Sequence, residues 1–386
     1  MKHHFEIIFQ TLYDVGRSVN IDAISQGFPE AKPLSFEKWR DTPESLLLPL
    51  PLIVRLVRYE SDSVELAGTG LERLELQAKI YEEGVITLEC RLQAVLEVTE
   101  LHSVKNTHLH VDGQELTPDQ LTFKQFRTLL ERISSNIIQD QYIFEKYERE
   151  HYRIFCLTES LDDPRGWMDA HRDYLAPCLL GENPNERLHP TQVDSTLKTF
   201  FSFRESDLAV FDLDRAFLID PLRDYEDLIL IIEHANYQLL ELRTLDKLLD
   251  RWLDEAEKDI RGTNTNTQKA AKHRPLSFHP LRSLGRLSQK LGNLQPLRLD
   301  ALFILENLEN SSRIIGDYYL EQIYDHLCSM FNTQGWKNNV ERRLELLQNI
   351  YTMTKSNQSE RTMMILELIV VLMIALEIVA LFFPQH

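Results

Sequence analysis

Cysteine is scarce. Cys90, Cys156, Cys178 and Cys328 are the only four in 386 residues, and no two form a CxxC pair. That spacing excludes a zinc ribbon and a disulfide framework, and it fits reduced thiols in a cytosolic compartment. Glycine numbers 13, and no glycine-rich phosphate loop is present. Gly68-x-Gly70 lacks the lysine such a loop needs, so it reads as a turn. No GxSxG or HExxH pattern occurs, which removes the commonest hydrolase signatures. Basic residues fall short of acidic ones, 42 against 60, for a net charge of −18. That balance argues against nucleic-acid binding by the whole surface. The opening MKHHFEIIFQ has neither an apolar signal region nor the Arg/Ser-rich character of a transit peptide.

Long apolar runs are absent too, except at the far end. Thr362 to Phe383 has only two ionisable side chains, Glu367 and Glu377, with Lys355 and Arg361 just before it. About 20 apolar residues span a bilayer as a helix, so this stretch reads as a C-terminal transmembrane anchor. Lys355 and Arg361 would then put the rest of the chain on the cytoplasmic side, in a bacterium the inner face of the plasma membrane. The two glutamates fall about 80° apart around a helix. On this reading they are the polar contacts of the membrane helix, hydrogen-bonding across a helix–helix interface.

The first 115 residues read as β-rich. Phe5–Thr11 and Leu52–Tyr59 fit strands. Leu74, Leu76, Ala78 and Ile80 alternate with Arg73, Glu75, Gln77 and Lys79, and after Glu82-Glu83-Gly84 the alternation resumes through Ile86, Leu88, Cys90 and Leu92. The pattern predicts a hairpin with one buried and one solvated face. Thr117-Pro118-Asp119-Gln120 predicts a helix start with a capping box. Tyr152–Leu157 reads as a strand, and Leu208–Phe211 with Ala216–Ile219 as two more around the turn Asp212-Leu213-Asp214.

Asp220-Pro221 predicts the start of a long helix. From Tyr225 to Ile260 apolar residues recur at 3–4 spacing, as in a coiled-coil seam or a long antiparallel pair, and Gly262 ends it. Residues 261–291 hold seven basic residues and no acidic one. Arg274, Arg282, Arg286 and Lys290 give this stretch a basic surface. It reads three ways: a solvated connector, a segment on an anionic membrane, or a contact for RNA phosphates. Asp300–Phe331 reads as amphipathic helix, Gly335 as a turn, and Val340, Leu344, Leu347 and Tyr351 as a further seam. The length of these seams predicts a homo-oligomer.

The run Glu341-Arg342-Arg343-Leu344-Glu345, followed by Leu366-Glu367 and Leu376-Glu377-Ile378-Val379, resembles the C-terminal end of the "required for meiotic nuclear division" family. Leu368 stands where that family has tryptophan. The resemblance covers about the last 50 residues. It implies a membrane-anchored protein without established enzymatic activity, and eukaryotic relatives serve organelle translation at the mitochondrial inner membrane.

His108-x-His110-x-Asp112 would align three metal-ligand types on one strand face, but a site needs a further ligand, so the triplet reads as a polar strand face leading into a turn at Gly113. Asp212 and Asp214 read as turn residues. No catalytic, cofactor-binding or metal-binding residue is assigned. The expected fold is α+β: a β-rich domain over 1–222, a helical stalk over 223–360 with its basic linker at 261–291, and an anchor at 362–383. The expected function is a membrane-anchored, non-enzymatic scaffold or assembly factor that presents the α+β domain to a protein partner. The alternative is a membrane-tethered enzyme or a regulator associated with RNA or the ribosome. A defined pocket with convergent polar groups would favour the alternative.

Overall fold

The alternation read from the N-terminal third builds most of one sheet. The computed structural model describes residues 1–28, 30–33, 51–60, 65–66, 70–106, 109–111, 114–138, 148–183, 186–270, 302, 305 and 318–382. The strands are β1 (Lys2–Asp14), β2 (Ser18–Val19), β3 (Lys32–Pro33), β4 (Leu52–Glu60), β5 (Glu65–Leu66), β6 (Gly70–Ile80), β7 (Val85–Glu97), β8 (Leu109–Val111), β9 (Gln114–Leu116), β10 (Ile137–Ile138), β11 (Arg149–Leu157), β12 (Leu208–Phe211) and β13 (Arg215–Ile219). Eight form the main sheet, in the order β12-β13-β11-β1-β7-β6-β4-β3. Only β11 and β13 run parallel; the other neighbours are antiparallel. The helices are α1 (Ile21–Gly27), α2 (Pro118–Ile133), α3 (Pro164–Ala170), α4 (Arg172–Leu180), α5 (Pro190–Thr196), α6 (Glu226–Ala270), α7 (Tyr318–Met330) and α8 (Thr333–Phe382). A 3-10 helix occupies Val98–Asn106.

The chain divides into two compact units. The first joins Met1–Thr244 with Asn307–Trp336; the second joins Leu245–Glu306 with Lys337–His386.

In the first unit the central strands are buried on both faces. From β1, Phe5, Ile7 and Phe9 point to one face, where they pack with Cys90, Leu92, Phe155 and Phe217 under α3, α4 and the 3-10 helix. Ile8 points to the other and packs with Ile154, Cys156, Leu218 and the apolar side chains of α6 and α7. A third cluster lies under α2, where the Tyr13 and Phe126 rings stack 3.8 Å apart. The capping box of α2 forms as its sequence dictates: the Thr117 side chain accepts from Gln120 N and the Gln120 side chain accepts from Thr117 N.

The hairpin β6–β7 forms in the expected register, with Leu76 opposite Cys90 and Ala78 opposite Leu88. Toward the turn its polar face is not solvated. Lys79 is 5 % exposed and Glu89 0 %. Glu89, Gln10 and Gln77 stand in direct register on three adjacent strands. Gln77 Nε2 donates to Glu89 Oε1 (2.7 Å) and Gln10 Nε2 to Glu89 Oε2 (3.3 Å). Lys79 Nζ bridges Glu89 Oε2 (2.9 Å) and Glu233 Oε2 (2.5 Å), and Tyr81 donates to Glu233 Oε1 (2.8 Å). Arg91 continues the network from Glu89 to Glu226, and Tyr225 donates to Glu6. Burial opposes the charge on Lys79, but Glu233 and Glu89 outweigh it and raise its pKa. Burial likewise opposes ionisation of Glu89, and Arg91 and Lys79 reverse the sign, holding that carboxyl well below its usual range.

Three other carboxyls of this unit are handled differently. Burial holds Asp14, Glu83 and Glu241 above the usual range, and Asp14 and Glu83 raise Glu241 further. Asp14 moves from 3.8 to about 6. A carboxyl that keeps its proton more tightly in the native chain stabilises it fully below the unfolded pKa and loses that contribution as pH rises through the folded one. Stability measured by urea unfolding is therefore expected to fall between about pH 4 and pH 6, the interval of the Asp14 shift. Asp14 keeps some solvent contact, so its share is about 1–2 kcal/mol. Asp14→Asn should flatten that part of the profile while keeping the acceptor for Gly16 N. An unchanged slope would disprove the assignment.

Several expectations are corrected. The helix expected from Asp220 starts at Glu226 instead. The Asp220 carboxylate accepts from Leu222 N and Asp224 N, and Arg223 takes a positive φ of 55°, so this stretch is a turn. Every residue from 229 to 238 is buried; a helix buried on all faces is a core helix, not the seam of a stalk. The helix passes Gly262 and ends at Ala270. A glycine inside a helix costs only about 1 kcal/mol relative to alanine. The turn placed at Gly335 falls at Asn332, whose φ is 53°, and Gly335 lies inside α8.

The larger correction concerns the C-terminus. Among the described residues no helix is long and apolar enough to cross a membrane. This overturns the transmembrane anchor at 362–383, the tail-anchored membrane localisation and that part of the fold class. What the structure shows is α+β with a large mixed sheet. Residues 362–382 are the end of the 50-residue α8. Glu367 and Glu377 divide the apolar stretch, and the run between them, Leu368–Leu376, is well short of the roughly 20 residues a crossing needs. Each acid near the centre of such a helix would cost about 2.5–3.5 kcal/mol. In the second unit, Leu249, Val340, Leu344 and Leu347 are buried, and Arg343 Nε pairs with Asp246 Oδ1 at 2.9 Å and its NH1 with Asp250.

A candidate ligand cleft at the β11–β13 pair

On the α4 side of the sheet, where β11 and β13 run parallel, a cleft of about 420 Å³ opens. Parallel pairing sets Arg153 directly beside Arg215. Neighbouring strands lie about 4.8 Å apart. Side chains alternate along a strand, so Arg153 shares a face with Phe155, and Arg215 with Phe217. Both arginines line the cleft, with Phe9 and Phe155 beside them. The Arg153 guanidinium lies 5.7 Å from the centre of the Phe9 ring.

The other wall comes from two helical ends. The 3-10 helix supplies Leu101, His102, Ser103 and Asn106; the end of α4 supplies Cys178, Gly181, Glu182 and Asn183. Gly181 closes α4 in the left-handed region, φ 76°, with Glu182 N donating to Pro177 O. A Cβ at Gly181 would lie 2.5 Å from Arg215 NH1 and NH2 and would push that guanidinium aside, and the positive φ itself favours glycine here.

The cationic groups are held but only lightly neutralised. Arg215 NH1 donates to Cys178 O at 2.8 Å, its Nε is buried without a partner among the described residues, and its NH2 lies 3.6 Å from an Asp214 carboxylate that is 55 % exposed. Arg153 NH2 lies 3.5 Å from Asp119, itself 47 % exposed. These are long, solvent-screened pairs of little worth. The possible nucleophiles are quiet. Burial pushes the Cys178 thiol up to about 12. Ser103 donates to Glu100 O (2.7 Å), and His102 Nδ1 is 2.8 Å from Thr99 O.

Among the described residues, none of the site candidates read from the sequence lines this cleft. Glu367 is exposed on α8; Glu377 lies in the same helix, its side chain outside the described residues. Arg274, Arg282, Arg286 and Lys290 lie outside the described residues, as do His108 and Asp112; His110 lies in β8. Among the described residues no group of three or more His, Cys, Asp or Glu is arranged to hold a metal ion. Asp212 and Asp214 form the turn of the β12–β13 hairpin, with Asp212 N donating to Arg215 O at 2.7 Å. Arg153 and Arg215 escaped the sequence reading. The signal that could have found them is a charged residue at the inward phase of an apolar strand, in Arg153-Ile154-Phe155 and Arg215-Ala216-Phe217.

No solved structure matches the chain. Over 308 residues it is 24% identical to "Uncharacterized protein MJ0711" of Methanocaldococcus jannaschii, an alignment that covers 80% of this chain and 82% of that protein. That relative is archaeal, which gives no support to the bacterial plasma membrane expected above. Neither this match nor the family match points to the "required for meiotic nuclear division" family, so that resemblance is corrected: it rested on a few charged and apolar residues of one C-terminal helix, a pattern many amphipathic helices share. The family model described as "Uncharacterized protein MJ0711, N-terminal domain" matches residues 4–226, more than half of the chain and all of the strands that carry the cleft, and the chain belongs to that family.

Proposed function

We propose that this chain is a non-catalytic regulatory protein whose first unit binds a small molecule and presents the outcome to a protein partner. The observation that carries the reading is the cleft, which joins apolar walls to convergent polar groups in the volume range of small-ligand sites. Catalysis by a covalent route needs a nucleophile beside a base. Cys178 keeps its proton, and the Ser103 hydroxyl and His102 Nδ1 are each engaged by a backbone carbonyl of their own 3-10 helix.

Thermal unfolding of the full chain against a panel of small metabolites tests this. A ligand specific to the native state adds about 2.7 kcal/mol at a hundredfold excess over Kd. At least one class is expected to raise Tm and to be recovered chemically unchanged. Ser103→Trp, which fills the cleft from its exposed rim, should abolish the rise. Turnover of the ligand would overturn the non-catalytic part, and a panel without any stabilising member would overturn the binding part.

A further inference from the structure

We propose that the ligand of this cleft is a small phosphate monoester, a sugar phosphate or a nucleoside monophosphate, held through its phosphate by Arg153 and Arg215. The inference rests on the reading of the cleft as a ligand site. It starts from the topology. The only parallel pair of the main sheet places two arginines in direct register on one face. Like charges so placed repel, and an anion between them reverses the sign of that interaction.

The hydrogen-bonding inventory of Arg215 points the same way. Its NH1 is spent on Cys178 O, whereas among the described residues its Nε has no partner and its NH2 stands 3.6 Å from Asp214, beyond hydrogen-bonding distance. The unspent edge, Nε with NH2, is one that forks onto a tetrahedral oxyanion. Arg153, 19 % exposed in its side chain, supplies a second guanidinium, whose ion pair with Asp119 is long at 3.5 Å. Two cations suit a dianion better than a monocarboxylate.

The remaining walls describe the rest of the ligand. A cleft of about 420 Å³ is far larger than one phosphate. Phe9, Phe155 and Leu101 offer apolar surface, and the exposed Glu182 at its mouth offers an acceptor to hydroxyl groups. A bare phosphate would leave these unused; a hydroxylated or ring-bearing ester uses both.

Isothermal titration calorimetry on the full chain tests the assignment, with AMP, glucose 6-phosphate and inorganic phosphate as probes and adenosine, glucose and benzoate as controls. At least one ester is expected to bind more tightly than inorganic phosphate, and its unphosphorylated counterpart not to saturate. Arg153→Met removes a charged hydrogen-bonding group and should weaken the ester by roughly 10- to 100-fold. Because Arg215 also holds the end of α4, Arg215→Lys serves as the second variant; it keeps the charge, loses the fork, and should weaken the same ester while the protein still unfolds in one cooperative transition. Equal affinity in wild type and both variants would overturn the proposal. Saturable binding of benzoate or an unphosphorylated control, competed by Ser103→Trp, with no binding of either ester, would overturn the phosphate assignment and leave the cleft a ligand site. Absence of binding by every probe and control, together with a metabolite panel that leaves Tm unmoved, would overturn both.

Discussion

Lys79→Met is expected to destabilise the chain by about 3–5 kcal/mol, the cost of leaving buried charge unpaired. Lys79 Nζ sits between Glu89 and Glu233, and both carboxylates are 0 % exposed. Without the ammonium, Glu89 retains Arg91, Gln77 and Gln10, whereas Glu233 retains the Tyr81 hydroxyl as its remaining hydrogen bond among those described for it. Adding Glu233→Gln to Lys79→Met should recover part of the loss, because a neutral amide replaces the orphaned carboxylate. Urea unfolding of the three proteins checks this, and a loss under about 1 kcal/mol for the single variant would show that the network relaxes without its lysine.

Gly84→Ala should be comparably damaging, for a backbone reason. Gly84 closes the β6–β7 turn at φ 94°, and a Cβ there would lie 1.8 Å from the carbonyl oxygen of Gly16. That oxygen belongs to the main chain and cannot swing aside. Gly84 O also accepts from Val15 N at 2.9 Å, so relief of the clash would pull away the end of β1. The left-handed backbone alone costs roughly 1–2 kcal/mol for a residue with a Cβ, and the clash brings the expected total above about 3 kcal/mol. Gly27→Ala is the matched control. Nothing lies within 4 Å of its added Cβ and its φ is not positive, so its effect should stay within about 1 kcal/mol. Chemical unfolding of both variants decides; similar losses would refute the steric argument.

Local chemistry was legible wherever a single stretch of chain carries the whole cause. The capping box at Thr117–Gln120, the alternation through β6 and β7, and the hairpin around Asp212-Leu213-Asp214 all follow from residues within a few positions of one another. Local cues failed where a stronger partner lay elsewhere. Asp220-Pro221 resembles a helix start, but the Asp220 carboxylate satisfies the amides of a turn instead. The two-acid apolar stretch of α8 resembled a membrane span, but among the described residues no helix is long and apolar enough to cross one.

What the sequence determined by itself is therefore the longer strands of the main sheet and the capped start of α2, since these depend on steric and hydrogen-bonding preferences of adjacent residues. The tertiary structure alone decided that the polar face of β6 and β7 is interior toward their turn. Lys79 reads as a solvated residue until Glu233, 154 positions later, reaches it from α6. It alone also decided the cleft, because Arg153 and Arg215 lie 62 positions apart and become neighbours only through the parallel pairing of β11 with β13. The physical reason is common to both. Burial of charge is favourable only when a complementary charge or ligand is delivered to the same place, and no pattern within one segment records which distant segment delivers it.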